Sequence, residues 1–146
     1  MKIFYKLSSH KNICTFFYVT IYHMTVTCIF LRKCNTLLYN GSIKLSNKQI
    51  GSCNFLIDNK NLIINNLEIN EGYRRRGFGS HALNKIEKYS KDFYDIKKVN
   101  LTAWDINGST SNFFKYNNYK NISTNNLIYD DYVRIYDLIK FEKSLD

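Results

Sequence analysis

Tyr73-Arg74-Arg75-Arg76-Gly77-Phe78-Gly79-Ser80 is the stretch that decides how the rest of the chain is read. A β-type run, Leu62 to Ile69, precedes it. Behind it Phe78, Ala82, Leu83, Ile86, Tyr89 and Phe93 recur at three- and four-residue steps, the period of one helix face. A strand that breaks into a basic glycine turn and then opens a helix is suited to holding phosphate. Glycines remove the Cβ atoms that would keep backbone N–H groups from an anion. The helix start adds donors with no intrahelical partner and the positive end of the dipole. Arginines add charge and planar donors.

Upstream of the turn, Ser42 to Leu45 alternates, Asn47-Lys48 turns, Gln49 to Ile57 resumes with Gly51 inside it, and Asp58 to Asn61 turns again. With Leu62 to Ile69 this makes an antiparallel meander. Downstream, the helix is expected to end near Asp92, and Lys98 to Trp104 reads as the next strand. Strand, helix, strand at this spacing implies a right-handed crossover and a parallel pair. Asn107 to Thr110 then reads as the cap of a short helix through Tyr116, and strands follow around Tyr119–Ile122 and Tyr132–Phe141. The first 40 residues are less clear. Lys2 to Leu7 alternates as a strand, and Ser8-Ser9-His10 has the composition of a helix cap. Ile13, Phe16, Phe17, Thr20, Ile21 and Met24 fall on one helical face, as do Val26, Ile29, Phe30, Cys34, Leu37 and Leu38. Periodicity therefore predicts two helices there, although the β-branched and aromatic content favours strand.

The 146 residues suffice for one domain with a core, and no repeat, linker or low-complexity tail divides residues 1–146. The net charge of +9 is mostly scattered lysine in a proline-free, Asn- and Lys-rich chain, so only Arg74-Arg75-Arg76 stands out as a basic cluster. Cys14, Cys28, Cys34 and Cys53 form no C-x-x-C pair and no metal-ligand spacing, so reduced thiols and a cytoplasmic setting are expected and no metal is. Ile13 to Leu31 is uncharged apart from His23 and approaches bilayer length. Its four threonines, Tyr18, Tyr22 and His23 are polar for lipid, so a buried element is expected and no membrane contact.

The order of elements and two motifs resemble the GNAT superfamily of acetyl-CoA-dependent N-acetyltransferases. Arg74-Arg75-Arg76-Gly77-Phe78-Gly79 satisfies the family's Gln/Arg-x-x-Gly-x-Gly/Ala turn. The second family signature, Asn, Ala three later, Phe-Tyr and Gly-Phe, is matched here by Asn107, Thr110, Phe113-Phe114 and Asn118-Tyr119. The likeness covers roughly residues 42–141 and is weak before them. It implies an α/β, GNAT-like fold: a mixed, mostly antiparallel twisted sheet flanked by helices, with splayed central strands.

By this resemblance the donor is acetyl-CoA, lying where the two central strands part. Its pyrophosphate would rest on the backbone N–H groups of Arg75, Arg76, Gly77, Phe78, Gly79 and Ser80, with Arg74 adding a direct or water-bridged contact. The pantetheine arm would run along the edge at Leu67 and Ile69, where a backbone N–H could stabilise the oxyanion of acyl transfer. Asn107 would touch that arm, with Phe113 and Phe114 packing beside it. The family's tyrosine, which protonates the departing thiolate in many members, is Phe114 here. A thiol titrates near ~8.5, so loss of that hydroxyl leaves proton transfer from water available. An amine near ~10.4 must instead lose a proton before it attacks. Glu68 is the only carboxylate on the splayed strand and is the candidate base, through water or directly; it also reads as an outward-facing strand residue.

Other readings compete. Gly77 to Ala82 fits G-x-G-x-x-A, and Asp105 ends the next strand, as in a dinucleotide fold. Against it, Asn70 to Arg76 separate strand and glycine, and the preceding strands are antiparallel. A GNAT-like protein that binds acyl-CoA without turnover fits Phe114. A nucleic-acid binder lacks both an RRM-type arrangement and a helix-turn-helix signal. His10, His23 and His81 have no paired nucleophile or carboxylate at a recognised spacing. The expected partners are acetyl-CoA and an unidentified amine, with a homodimer compatible. Acidic residues are scarce before Asp58, which gives polyamines and histone tails no support as acceptors.

Overall fold

A computed structural model describes residues 3–6, 14–19, 26–32, 37–105, 108–129 and 134–145. Its strands are β1 (Ile3–Lys6), β2 (Cys14–Val19), β3 (Val26–Arg32), β4 (Leu38–Leu45), β5 (Lys48–Asp58), β6 (Asn61–Ile69), β7 (Lys98–Asp105), β8 (Lys120–Tyr129) and β9 (Arg134–Ser144). The helices are α1 (Phe78–Tyr94) and α2 (Ser109–Tyr116), with one 3-10 turn at Glu71–Tyr73. All the strands join one sheet in the order β1-β2-β3-β4-β5-β6-β7-β9-β8. Every neighbouring pair is antiparallel except β6 and β7, the pair that α1 bridges. The sheet is therefore mixed and mostly antiparallel, as the motif order implied.

The two helices expected between residues 13 and 38 are replaced by β2 and β3. Every residue of β2 except Cys14 is β-branched or aromatic, and such side chains lose rotamer freedom in a helix but pack well on a pleated surface. Here composition outweighs period, and the meander simply extends towards the N-terminus. The suggested cap at Ser8-Ser9-His10 lies outside the described residues.

The core forms on one face of the sheet. Phe30, Tyr39, Ile43, Cys53, Phe55, Ile57, Leu62, Ile64, Val99, Leu101, Ile139 and Phe141 are all buried, at alternate positions of their strands. From α1, Phe78, Ala82, Leu83, Ile86 and Tyr89 pack onto them. Each such Leu or Ile side chain withdrawn from water contributes about 1.5–3 kcal/mol. The helix runs two residues past Asp92 to Tyr94, and it is Tyr94, not the expected Phe93, that turns to Tyr39 at the core's edge. The β5–β6 hairpin closes through Asn59 and Lys60, both in the left-handed region that two-residue hairpin turns require.

Two irregularities position the functional site. Gly51 lies opposite Ile69, and a Cβ there would come within 2.2 Å of the Glu68 carbonyl oxygen. Only glycine lets β5 approach β6 so closely. The second irregularity is a bulge on β6. Phe55 pairs with Ile64 but Asn54 with Asn66, so Asn65 is one residue too many. After the bulge the alternation is reset: Leu67 joins Cys53 and Ile69 joins Gly51 on the α1 face, while Glu68 joins Ser52 on the other.

Candidate active site

The parallel β6–β7 ladder runs only from Asn61–Lys98 to Ile64–Leu101. It stops at the bulge, because an extra residue adds twist and turns the strand away from its neighbour. Beyond it β6 continues to Ile69 and β7 to Asp105 without pairing, and a cleft of about 890 Å³ opens between them. Its β6 wall, Asn65 to Ile69, is a strand edge whose outward backbone groups lack ladder partners on the β7 side.

Above this opening stands the start of α1. Arg75 and Gly77 both have positive φ, 59° and 79°, so the turn reverses twice before the helix begins. Gly77 is the N-cap, and the first intrahelical bond is from the His81 amide to its carbonyl oxygen at 3.0 Å. The amides of Phe78, Gly79 and Ser80 thus come before the first amide that donates within the helix, and no side chain of the cap residue takes them. Arg75, Gly77, Gly79 and Ser80 line the cleft. Gly79 lies against Phe113, since a Cβ would meet that ring at 3.2 Å. A small concave surface of unused N–H donors, with an arginine beside it and no side chain filling it, fits a diphosphate.

Other candidates are placed differently from one another. Leu67, Glu68, Ile69, Arg74, Phe113 and Phe114 all line the same cleft. Arg76 is exposed and outside that lining, and the Phe78 side chain is buried in the core, so only its backbone faces the turn. Asn107 lies outside the described residues. The guanidinium of Arg74 points back at β6: its Nε donates to the Ile69 carbonyl at 2.8 Å, and a terminal nitrogen stands 3.8 Å from the Glu68 carboxylate. In this position Arg74 braces the strand edge and faces the candidate base. The pair is exposed and water-screened, so it orients more than it stabilises.

Phe114 is buried, with Phe141 at 4.8 Å and Tyr119 at 5.5 Å between ring centroids. Asn118, where the family signature has glycine, is left-handed at φ 66°, which asparagine tolerates better than most residues. Tyr116, two residues on from Phe114 and so on another face of α2, is 82% exposed and lines the opening beside Phe113. His81 is occupied locally, its Nδ1 lying 3.0 Å from the Gly77 carbonyl oxygen.

The sequence assigns the α2 cap to Asn107–Thr110, and the N-cap is Gly108 within that stretch, but the carboxylate that takes the first-turn donors comes from Asp105. Its carboxylate accepts from the Thr110 amide at 3.2 Å, the Ser111 amide at 3.0 Å and the Ser111 hydroxyl. Burial acts to raise this carboxyl, but the Ser111 hydroxyl and amide and the Thr110 and Gly108 amides outweigh it and hold it below the usual carboxylate range. The signal was a lone carboxylate at a strand end four residues before a Ser/Thr-rich helix start. Asp105 also satisfies donors that a ribose-binding acid would leave free, which removes the dinucleotide reading's acid.

Among the described residues no group of three or more His, Cys, Asp or Glu is arranged to hold a metal ion, and no helix is long and apolar enough to cross a membrane. Cys28 and Cys53 are buried free thiols, and desolvation raises both, Cys28 to about 11. Neither is disposed to act as a thiolate nucleophile.

Comparisons with known proteins agree with this geometry. The profile described as the acetyltransferase (GNAT) family matches residues 4–119. Similar solved structures include an IAA acetyltransferase from Bacillus cereus, at 18% identity over 75% of this chain and 79% of that one, with a TM-score of 0.62. The ribosomal-protein-S18-alanine N-acetyltransferase from Escherichia coli is 13% identical over 74% and 69%, with a TM-score of 0.65. A GNAT family acetyltransferase from Elizabethkingia anophelis, solved with acetyl-CoA bound, is 17% identical over 75% and 77%, with a TM-score of 0.58. At these identities the likeness is one of fold. No curated protein matches the chain at a significant level.

Proposed function

The chain belongs to the acetyltransferase (GNAT) family, whose acyl donor is acetyl-CoA, and we propose that it transfers acetyl to a primary amine by direct attack. The observation that carries this reading is the opening of β6 from β7 directly beneath an uncapped helix start. The amides of Gly77 to Ser80 and the Arg75 side chain hold the diphosphate. The unpaired edge at Leu67 to Ile69 bonds the pantetheine arm and places the thioester where the strands part. A backbone N–H of that edge stabilises the negative charge that develops on the thioester oxygen.

Helices α1 and α2 stand on the core face of the sheet and flank the donor, so the amine approaches from the opposite face. Glu68 projects to that face, being paired with Ser52 while Leu67 and Ile69 turn towards α1. There it takes the proton that the ammonium must lose, directly or through water. The amine nitrogen forms its bond to the carbonyl carbon as the carbon–sulfur bond breaks. Coenzyme A leaves with the electron pair and takes its proton from water, since Phe114 offers none. Arg74, 3.8 Å from the Glu68 carboxylate, aligns it without blocking it. The test is release of coenzyme A from acetyl-CoA with an amine panel, together with thermal shifts. Stabilisation by acetyl-CoA and not by NADH is expected, and the reverse would overturn the assignment.

One observation favours a second reading. Phe114 sits in packed core and supplies no acid, so the protein could bind acyl-CoA without turnover. Stabilisation by acetyl-CoA with no release of coenzyme A on any amine would select it.

A further inference from the structure

A second cavity, of about 590 Å³, lies along the paired part of β6 and β7 and reaches the splay at one end, where it shares Ile64, Asn65, Leu101 and Thr102 with the cleft. Strand alternation places it on the face away from α1. Leu62, Ile64, Val99, Leu101, Ile139 and Phe141 are buried beneath the helices, so Ile63, Asn100, Thr102, Lys140 and Glu142 point the other way. The two cavities therefore meet across the sheet at the splay. The size suits a small molecule better than a folded partner.

The lining has a definite chemistry. Its ionic groups are Asp58, Glu142, Lys98 and Lys140, two of each sign, and Lys98 and Glu142 already pair at 3.1 Å. A polyamine or basic peptide would need surplus carboxylate, and a phosphorylated acceptor would need surplus cation. Neither surplus exists. Ile63 is the one apolar side chain on the outer face here, too little to wall an aryl or alkyl amine. What remains is Asn61, Asn65, Asn100 and Thr102, from two adjacent strands. Asn61 and Asn65 each spend an Nδ2 hydrogen within the protein, on the Asn59 carbonyl and the Asn54 side chain, which leaves their carbonyl oxygens as acceptors. Asn100 brings a donor and an acceptor together, and Thr102 a hydroxyl. Hydroxyl groups, each donor and acceptor at once, complement such a surface.

We propose that the acceptor is a small, uncharged-but-for-its-amine, polyhydroxylated primary amine of the amino-sugar type, held in this second cavity by Asn61, Asn65, Asn100 and Thr102. The inference rests on the acetyl-transfer reading and deepens it. The reaction is the one already written: carbon–nitrogen bond made, carbon–sulfur bond broken, the ammonium proton lost to Glu68 or water, and the thiolate reprotonated by water.

The full chain is assayed for acetyl transfer from labelled acetyl-CoA to D-glucosamine, lysine, spermidine and a short basic peptide. A kcat/KM for glucosamine at least about tenfold above the rest is expected, the scale of discrimination that a few polar contacts supply. Asn100→Leu should raise KM for glucosamine by about tenfold while leaving KM for acetyl-CoA and its thermal shift in place. Should that variant fail to fold, Thr102→Val carries the same test with a smaller change in shape. Asn100→Asp, which tips the cavity to surplus negative charge, should move preference towards spermidine. Preference of the wild-type chain for spermidine, lysine or the peptide overturns this inference and leaves acetyl transfer standing. So does glucosamine turnover whose KM neither variant changes. No stabilisation by acetyl-CoA, or stabilisation with no amine acetylated, overturns the acetyl-transfer reading and this inference with it.

Discussion

Helices α1 and α2 begin alike and end up differently used. Each has glycine as N-cap, Gly77 at φ 79° and ψ −5° and Gly108 at φ 77° and ψ −2°, and neither cap residue has a side chain to offer. At α2 the chain supplies an anion itself, and the Asp105 carboxylate takes two amides and a hydroxyl of the first turn. At α1 the first-turn amides have no side-chain cap, and arginines flank them in place of a carboxylate. One helix start is closed by its own charge, while the other faces a cleft of about 890 Å³. The same backbone device thus serves packing in one place and binding in the other. What separates them is whether a carboxylate lies within reach.

The comparison can be broken most severely at α1. Arg75→Glu sets a negative charge against the proposed diphosphate, and acetyl-CoA affinity should fall at least about 100-fold by titration calorimetry, the upper end of what one charge-assisted bond is worth. Ser80→Glu is subtler, because a carboxylate at the third helical position reaches back to the cap amide. It makes α1 resemble α2. Acetyl-CoA affinity should drop by about tenfold while helix stability rises by about 0.3–1 kcal/mol, so the two readouts move in opposite senses.

The converse change opens α2. Asp105→Ala should lower stability by about 1–2 kcal/mol in urea denaturation, the usual loss for a cap. Acid should do the same reversibly. The folded-state carboxyl of Asp105 lies below its ordinary value, so its contribution is complete above about pH 4 and fades as pH falls through the folded-state value. The stability gap between wild type and Asp105→Asn should therefore close on acidification, and a gap constant from pH 5 to pH 2 would contradict the cap. The smallest effect is expected from Phe114→Tyr. The ring stays packed on Phe141 and Tyr119, and acetyl-CoA affinity should stay within about threefold of wild type.

Much of this was legible in the residues. The meander, α1, the parallel crossover and the glycine turn all follow from periodicity and turn chemistry acting over a few neighbouring positions. Residues 14–19 and 26–32 have an apolar spacing that fits a helix and side-chain shapes that fit a strand, and only pairing of β2 with β3 and of β3 with β4 decides between them. At the site, Arg74 looked like a phosphate ligand because it sits in the motif. Its reach to the Ile69 carbonyl and to Glu68 depends on where the 3-10 turn swings it. Asp105 has the position of a ribose-binding acid in the sequence, whereas in the fold its carboxylate is spent on the first turn of α2.

The sequence by itself determined the local chemistry: a strand, a turn with left-handed positions and arginines, a helix, and the likeness to an acyl-CoA family that this order carries. Only the tertiary structure decided that Asn65 is an extra residue, that β6 and β7 part just there, and that a second cavity of balanced charge backs onto the first. The reason is physical. Helix periods and turn preferences are set by interactions between residues close along the chain, whereas bulges, splay and cavity walls depend on which residue stands opposite which across the sheet.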